Sequence, residues 1–399
     1  MDSYESEKES KSVVEQKSIL EEKKEEEKEI KIINKKTIKF KKNKSKNKNH
    51  FKNKNNFDKE NYYKNVNFNT NPKSIKFERI IIKDSYCKYN TILTFKSFNG
   101  ILYLIYTNKQ CSIISYDLID NKKINEIKNA HNKLILNFQY YFDEINCRDL
   151  LLSMSFLSEN QIKLWNINNC ECILKIPGYL GCFLKPNNNL LVVSCNYEYS
   201  YYFERESILV HNLDGKRIKT IKDNKEKKFL LESYYDKTLE KSYLIISSKK
   251  KTSLNKENNL LKSYDYKTKT YQIYEEKNLI RNITIINEDN KSFLIGATEN
   301  GIIKKWNFHS GEFLEQFILS NFSDFSICLW NNDYLFIGFE RWEKIGLIDL
   351  KSKKIIKELF GIEGNEKSIQ KVDHPYYGEC LISQDSSGTI SFWNNKQFY

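Results

Sequence analysis

Histidine and serine are the side chains of this sequence that could act as a catalytic base and a nucleophile. The five histidines are His50, His131, His211, His309 and His374, and no serine, cysteine or carboxylate recurs at a fixed offset from them. A catalytic triad needs a nucleophile, a base and an orienting acid, and this spacing does not predict one. We therefore expect the histidines to hold structural or turn positions.

Cysteine chemistry is equally unpromising. The nine cysteines are odd in number and widely spaced, which is typical of reduced thiols packed as small apolar side chains. Cys170 and Cys172 alternate with Glu171 and are expected to share one face of a strand. No CxxC pair or Cys/His cluster supplies the ligands of a zinc site. Phosphate-binding glycine motifs and a G-x-S-x-G elbow are also absent, so we expect no enzyme activity, no metal and no cofactor.

The composition favours a folded domain behind a polar head. Apolar residues make up 40% of the chain and aromatic residues 14%, which is enough to form a core. Residues 1–30 contain eleven acidic residues and six lysines, whereas residues 31–57 contain eleven lysines and no acid. The apolar positions of this head do not follow a heptad, so a disordered or partly helical charged tail is favoured over a coiled coil. We place the tail at residues 1–73 and the folded domain at residues 74–399.

The formal net charge of +13 leaves two interpretations open. The Lys31–Lys54 arm could bind nucleic acid, mark the protein for the nucleus or tether it to an anionic surface. Alternatively, the excess of Lys, Asn, Ile, Tyr and Phe reflects A/T-rich codons, and the arm is a solvated tract. No apolar run is long enough to predict a membrane span, and the acidic start does not match a secretory signal. We expect an intracellular protein, cytoplasmic or alternatively nuclear.

A repeat dominates the folded part. Short apolar or alternating runs separated by Asn, Asp, Gly and Ser turns predict strands throughout. Seven of these runs end in an aromatic or apolar residue, or a histidine, followed by Asp or Asn, at intervals of 49, 46, 53, 42, 42 and 45 residues. Such a period indicates the four-stranded blades of a β-propeller. The seven strand ends are Tyr116-Asp117, Trp165-Asn166, His211-Asn212, Tyr264-Asp265, Trp306-Asn307, Ile348-Asp349 and Trp393-Asn394.

These motifs resemble the WD-repeat family. Gln161–Asn166 and Gly301–Asn307 are similar to its signature third strand, and Ser383–Trp393 is similar to the tight turn that leads into that strand. The chain departs from the family pattern where His211 and Ile348 replace the usual Trp, and where Ala130-His131 stands for the Gly-His dipeptide. The resemblance covers residues 75–399 and implies a seven-bladed, all-β propeller that binds protein partners.

The last blade predicts how the ring closes. Only three strands follow Glu366, whereas Lys76–Lys83 forms a strand without sister strands of its own. We expect this N-terminal strand to complete the last blade, because closure protects the sheet edges. Five residues are the expected structural anchors of the blades. They are Trp165, Trp306, Trp393, the turn residue Asp385 and His131.

The resemblance also implies where partners bind, namely at the hairpins before the third strands and at the loops between blades. Arg341 and Trp342 are the leading candidates there, because Arg and Trp dominate binding hot spots; the alternative is a Trp folded against its own hairpin. A second candidate patch contains Tyr199, Tyr201, Tyr202 and Arg205, and its alternative is a long strand pair. The same hairpins contribute Glu159 and Glu299 as candidates. Lys249–Lys251 could contact an acidic partner or RNA, and the alternative is a solvated loop.

Overall fold

The computed structural model describes most of the chain from residue 75 onward. The predicted tail at residues 1–73 lies outside the described residues, so the domain boundary near residue 74 stays a prediction. The residues that the structure describes are 75–83, 85, 91–156, 159–200, 203–221, 226–251, 257–318, 325–339, 344–360 and 366–395.

The described residues form twenty-eight strands in seven antiparallel sheets of four, as the repeat predicts. The first strand of the chain is β1 (Ile75–Ile82). Blade 1 contains β2 (Ile92–Lys96), β3 (Leu102–Thr107), β4 (Ile113–Asp117) and β5 (Lys122–Ile127). Blade 2 contains β6 (Ile135–Asp143), β7 (Arg148–Ser155), β8 (Gln161–Asn166) and β9 (Glu171–Pro177). Blade 3 contains β10 (Leu180–Leu184), β11 (Leu191–Ser200), β12 (Phe203–His211) and β13 (Arg217–Ile221), with a short 3-10 turn at Pro186–Asn188.

The remaining four sheets follow the same order. Blade 4 contains β14 (Glu226–Asp236), β15 (Lys241–Lys251), β16 (Glu257–Asp265) and β17 (Tyr271–Tyr274). Blade 5 contains β18 (Ile280–Glu288), β19 (Lys291–Thr298), β20 (Ile302–Asn307) and β21 (Phe313–Ile318). Blade 6 contains β22 (Phe325–Leu329), β23 (Tyr334–Phe339), β24 (Lys344–Asp349) and β25 (Lys354–Phe360). Blade 7 contains β26 (Glu366–His374), β27 (Gly378–Asp385) and β28 (Ile390–Asn395), and β1 is its fourth strand.

The first strands of the seven blades form a closed inner ring. Each contacts the first strand of the blade before it and of the blade after it, and β26 of blade 7 contacts β2 of blade 1. At the rim, β1 pairs antiparallel with β28, from Ile75 opposite Asn395 to Ile82 opposite Ile390. The expected closure by the N-terminal strand is therefore confirmed. One sheet contains both the earliest and the latest described strands, so the ring has no open end.

The core is divided into seven apolar clusters, one at each boundary between neighbouring blades. Trp306 of blade 5, for example, is fully buried in the cluster shared with blade 4, where it packs with Tyr274. Trp393 is fully buried between blades 6 and 7. Each blade thus covers an apolar flank of the next one, which is why a single repeat could not bury its own surface.

The predicted repeat ends coincide with the ends of the third strands in five blades and lie one residue away in β12 and β28. The Asp or Asn that recurs there has a local role. Asp117 Oδ1 accepts hydrogen bonds from the backbone N–H groups of Ile119 and Asp120. Asp265 and Asn307 accept from the residues two and three positions later in the same way. Asp and Asn side chains stabilise tight turns by bonding the backbone just ahead of them. The repeated Asp or Asn therefore starts the turn into the fourth strand.

The turn between β27 and β28 connects blade 7 to the start of blade 1. Ser85 lies between β1 and β2, and both its backbone N–H (3.2 Å) and its hydroxyl (2.7 Å) donate to the carbonyl of Gly388. Gln384 Nε2 donates to the Ser85 hydroxyl at 2.9 Å, and the Thr91 hydroxyl donates to Gln384 Oε1 at 3.0 Å. These bonds hold Ser85 and Thr91 against blade 7.

One expectation about the cysteines is wrong. Cys170 and Cys172 do not share a strand face, because β9 begins at Glu171 and Cys170 occupies the preceding turn with a φ of 60°. Glycine is scarce in this chain, so other residues, mainly Asn, fill many left-handed turn positions. None of the eight described cysteines forms a disulfide.

Candidate protein-binding surface

The two faces of the propeller carry different connections. Because neighbouring strands are antiparallel, the hairpins between second and third strands lie at the same end of each blade as the connections between blades. We call this end the upper face. The opposite end, the lower face, carries the hairpins between first and second and between third and fourth strands. The hairpins that the sequence predicted to bind partners therefore lie on the upper face.

An aromatic ring surrounded by cations lies on the upper face between blades 4 and 5. The ring is Phe229 on β14, and the guanidinium of Arg281 on β18 lies 5.0 Å from its centre. The ammonium groups of Lys227 and Lys249 lie 5.6 and 5.8 Å from the same centre. Glu299, from the hairpin after β19, is 3.9 Å from the Lys249 ammonium and 3.8 Å from the Arg281 guanidinium. We call these five residues the Phe229 cluster.

The cluster carries an excess of positive charge, since three cations face one carboxylate. Lys227 and Lys249 are directly opposite each other on β14 and β15, a placement of like charges that costs stability in a sheet. The π-face of Phe229 offsets part of that repulsion. A site that is unfavourable in isolation and positively charged is suited to an acidic segment of a partner. Glu299 and Lys249, both named by the sequence, are brought together here.

A buried ion pair lies next to this cluster. The Lys262 ammonium on β16 donates to Glu226 Oε2 on β14 at 2.6 Å, and the Ser248 hydroxyl donates to the same oxygen at 2.8 Å. Both charged side chains are only 8% exposed. Removing one charge of such a pair leaves the other uncompensated in the interior. Neither residue was singled out from the sequence, because alternation alone does not indicate which lysine faces inward.

His131 and Glu159 belong to a polar chain inside blade 2. Trp165 Nε1 donates to the Ser153 hydroxyl at 2.8 Å, and that hydroxyl lies 2.7 Å from His131 Nε2. His131 Nδ1 is 3.2 Å from Glu159 Oε1, and Glu159 Oε2 accepts the backbone N–H groups of residues 132 and 133. Burial lowers the pKa of His131 to about 4, so the imidazole is neutral at pH 7 and fits a donor at Nδ1 and an acceptor at Nε2. The Lys163 ammonium completes the group by donating to the carbonyl of Ala130.

Of the other two tryptophan anchors, one keeps the hydrogen bond to a serine and one lacks it. Trp393 Nε1 donates to the Ser383 hydroxyl at 2.9 Å, as Trp165 does to Ser153. Trp306 Nε1 has no hydrogen-bond partner among the described residues, because Gly296 occupies the position that serine holds in blades 2 and 7. A Cβ at Gly296 would lie 3.0 Å from both Ile280 Cδ1 and the Trp306 ring. Blade 5 has thus exchanged the hydrogen bond for closer apolar packing.

The remaining predicted site residues lie partly outside the described residues and partly in strands and turns. Arg341, Trp342, Tyr201 and Tyr202 lie outside the described residues. The backbone of β11 and β12 pairs from Val192 opposite His211 to Ser200 opposite Phe203. Tyr199 and Arg205 therefore belong to a long strand pair, the alternative that the sequence left open. Asp385 accepts the backbone N–H groups of Ser387 and Thr389 in the turn before β28.

Phe229 and Arg281, the centre of the cluster, were missed by the sequence analysis. Each lies beside an irregularity in the pairing of a first strand, between Lys228 and Leu230 and between Ile280 and Asn282. Two residues that are fifty-two positions apart in sequence meet only because the blades are adjacent. The available signal was a Lys-Lys-Phe run at the start of a predicted first strand, which without a fold resembles ordinary strand sequence.

The described part of the chain lacks the features of a metal site and of a membrane-spanning helix. No three His, Cys, Asp or Glu side chains of the described residues converge as metal ligands would. None of the described helical segments has the length and apolar character needed to cross a membrane. In comparisons with known proteins, no protein-family model matches the chain and no curated protein is significantly similar to it.

Proposed function

We propose that this chain is a WD-repeat-type propeller that works as a non-enzymatic binding platform for proteins, with the Phe229 cluster as a contact for an acidic segment. The observation that carries the proposal is the net positive charge gathered around one aromatic ring on the upper face. Aromatic and arginine side chains are the residues that contribute most to protein interfaces. Complementary charge adds speed and selectivity to such contacts.

Two features support the family part of the proposal. The seven third strands end at, or within one residue of, the positions that the repeat motif predicts. The polar chain Trp165, Ser153, His131 and Glu159 connects the third strand of blade 2 with the loops before β6 and β8, and it includes His131, the residue that stands for the histidine of the family's Gly-His dipeptide. Fold alone does not specify function, so the binding role depends on the Phe229 cluster.

Binding of acidic peptides is the direct test. Full-length protein is titrated into fluorescent peptides rich in Glu and Asp, and into the same peptides with Gln and Asn in their place. We expect the acidic set to bind more tightly, with an affinity that falls as salt rises. The double variant Lys249→Ala/Arg281→Ala should lose at least tenfold in affinity, because two of the three cations are removed. In affinity purification with mass spectrometry, partners that the wild type captures through acidic segments should be absent from the double variant.

Lys305→Ala is the matched control. The Lys305 ammonium also lies over a phenylalanine ring, 4.5 Å from the centre of Phe293, and has a glutamate partner in Glu288 at 3.7 Å. It lines a groove between blades 5 and 6 rather than the cluster. We expect this variant to bind as the wild type does. Equal losses in both variants, or equal binding of acidic and neutral peptides, would contradict the proposed contact.

Arg341 and Trp342 form a second arm of the same test. Both residues are predicted to contact partners from the sixth-blade hairpin. We therefore expect the double variant Arg341→Ala/Trp342→Ala to capture fewer proteins than the wild type does. If that variant retains every partner while the Phe229 cluster variant loses them, binding is confined to blades 4 and 5. An unchanged set of partners in both variants would argue against the platform role.

The second candidate function is nucleic-acid binding through the lysine arm. It is favoured by the eleven lysines and absence of acids in residues 31–57. Contacts to phosphates release counterions, so the logarithm of affinity for single-stranded RNA should fall with the logarithm of salt at a slope of about −0.7 per contact. Binding that ignores salt, or that survives deletion of residues 1–70, would refute this function and leave the protein-binding role intact.

A further inference from the structure

The axis of the propeller contains a polar cavity of about 400 Å³. It is formed by the first strands of several blades, whose apolar side chains point into the clusters between blades. The side chains that reach the cavity are mostly neutral amides and hydroxyls; they include Asn137, Gln139, Asn282, Ser326, Ser368 and Gln370. A volume of this size is within the range of small-molecule sites.

One carboxylate lies among these neutral groups. Glu232 of β14 is the one Asp or Glu among the described residues lining this cavity, and no Lys, Arg or His lines it. This contrasts with the net charge of +13 carried by the whole chain. A negatively charged group surrounded by neutral polar ones in a narrow passage favours a cationic ligand, because few competing cations of the protein reach it.

Glu232 is held in place by Gln139 from another blade. Gln139 Nε2 donates to Glu232 Oε2 at 2.6 Å. The backbone N–H of Phe183 donates to Gln139 Oε1 at 3.3 Å, so the amide oxygen is engaged and its NH₂ group points to the carboxylate. Glu232 belongs to blade 4 and Gln139 to blade 2, so the bond spans the first strand of blade 3. One carboxylate oxygen is thereby fixed, and the other can accept from a ligand.

A second polar group lacks a partner in the same cavity. The Ser326 side-chain oxygen is buried and makes no hydrogen bond among the described residues, and the residue is only 6% exposed. Leaving a buried hydroxyl unpaired costs stability, and a ligand that donates to it removes that cost. The hydroxyl of Ser326 and the carboxylate of Glu232 therefore both have unused capacity to accept hydrogen bonds from a bound molecule.

The donor set favours an ammonium group over a metal ion. Calcium requires six to eight oxygen ligands, usually with several carboxylates, whereas one carboxylate lines this cavity among the described residues. A primary ammonium has three N–H donors and no acceptor. One donor can meet Glu232, and the others can meet neutral side-chain oxygens. We propose that the axial cavity is a binding site for a small aliphatic primary amine in its cationic form, with its ammonium group at Glu232.

Isothermal titration calorimetry of the full chain tests the site with 1,4-diaminobutane as the probe. We expect saturable binding to the wild type and at least a tenfold weaker affinity for Glu232→Gln, which keeps an oxygen for Gln139 but removes the charge. Ser326→Ala should weaken binding several-fold. Glu312→Gln, which removes an exposed carboxylate in the turn before β21 instead, is the matched control and should bind as the wild type does.

Three further titrations can overturn the proposal. The uncharged analogue 1,4-butanediol should not bind; equal binding would mean that the cavity selects polarity and not charge. Calcium chloride should neither bind at Glu232 nor compete with the amine, and competition would assign the site to a metal ion. Binding of the amine that is unchanged in Glu232→Gln, in a variant whose circular dichroism matches the wild type, would place the amine elsewhere.

The pH dependence supplies a readout that a structural role would not move. Burial raises the pKa of Glu232 to about 7, so amine affinity should rise up to tenfold per pH unit below that value and level off above it. Burial raises the pKa of the nearby Cys182 thiol and Tyr140 phenol further above this range, so neither of these two groups ionises within it. Lys371 is engaged by the carbonyl of Trp330, and Arg281 by Glu299. A flat affinity between pH 6 and 8 would contradict the assignment.

Discussion

Gly388 offers a direct perturbation of the ring closure. Its φ is +89°, and a Cβ at this position would lie 2.1 Å from the backbone oxygen of Ser85. A side chain in this backbone region costs about 1–2 kcal/mol, and forcing a methyl group into packed backbone adds about 1–3 kcal/mol. Gly388→Ala should therefore lower the free energy of unfolding by about 2–5 kcal/mol. Urea denaturation followed by tryptophan fluorescence measures this loss.

Gly100→Ala separates the two contributions. Gly100 has the same φ of +89°, but nothing lies within 4 Å of its Cβ position. This control should lose only the backbone part, about 1–2 kcal/mol. The difference between the two variants then measures the contact between the blade 7 turn and Ser85. Equal losses for both substitutions would show that Ser85 does not pack against Gly388, and the reasoning about closure would be refuted.

Three more substitutions probe the core, the axis and the buried charges. Trp306→Ala removes a fully buried ring and should cost about 3–5 kcal/mol; an unchanged urea midpoint would contradict its place between blades. Burial raises the pKa of Glu232 to about 7 from its usual 4.5, so the wild-type protein loses stability as the pH rises between those values. The free energy of unfolding of Glu232→Gln, relative to wild type, should therefore increase by up to about 3 kcal/mol from pH 4.5 to 8. A difference between the two proteins that does not depend on pH would argue against this. Lys262→Met should cost about 3–5 kcal/mol by stranding Glu226, and the double variant with Glu226→Gln should recover part of that loss; additive costs would contradict the pairing.

The sequence was sufficient to predict the architecture because the repeated residues form local turn structures. In five blades the repeated Asp or Asn is the last residue of the third strand and its side chain starts the following turn, as Asp117 does. The period of these residues counts the blades. The closure could also be predicted, because a strand at one end and a missing strand at the other complete the same sheet.

The binding site could not be predicted in the same way. Phe229 and Arg281 meet across a blade boundary, and Glu232 meets Gln139 across a whole blade. Such contacts depend on register at the inner ends of strands, where pairing irregularities shift the faces of the side chains. The alternation of apolar and polar residues does not predict where these irregularities occur. Gly296 is a similar case, because its close approach to Ile280 and to the Trp306 ring is seen only in three dimensions.

Hydrogen exchange of the intact chain is the measurement that decides whether the propeller is closed as described. The backbone of Ile75–Ile82 pairs with that of Ile390–Asn395 at the rim of blade 7, and N–H groups that donate across the sheet exchange only when the sheet opens. Peptides from both segments should therefore be protected, and both should lose protection together in Gly388→Ala. Exchange of residues 75–82 at the rate of an unfolded chain, while β28 stays protected, would contradict the closed ring.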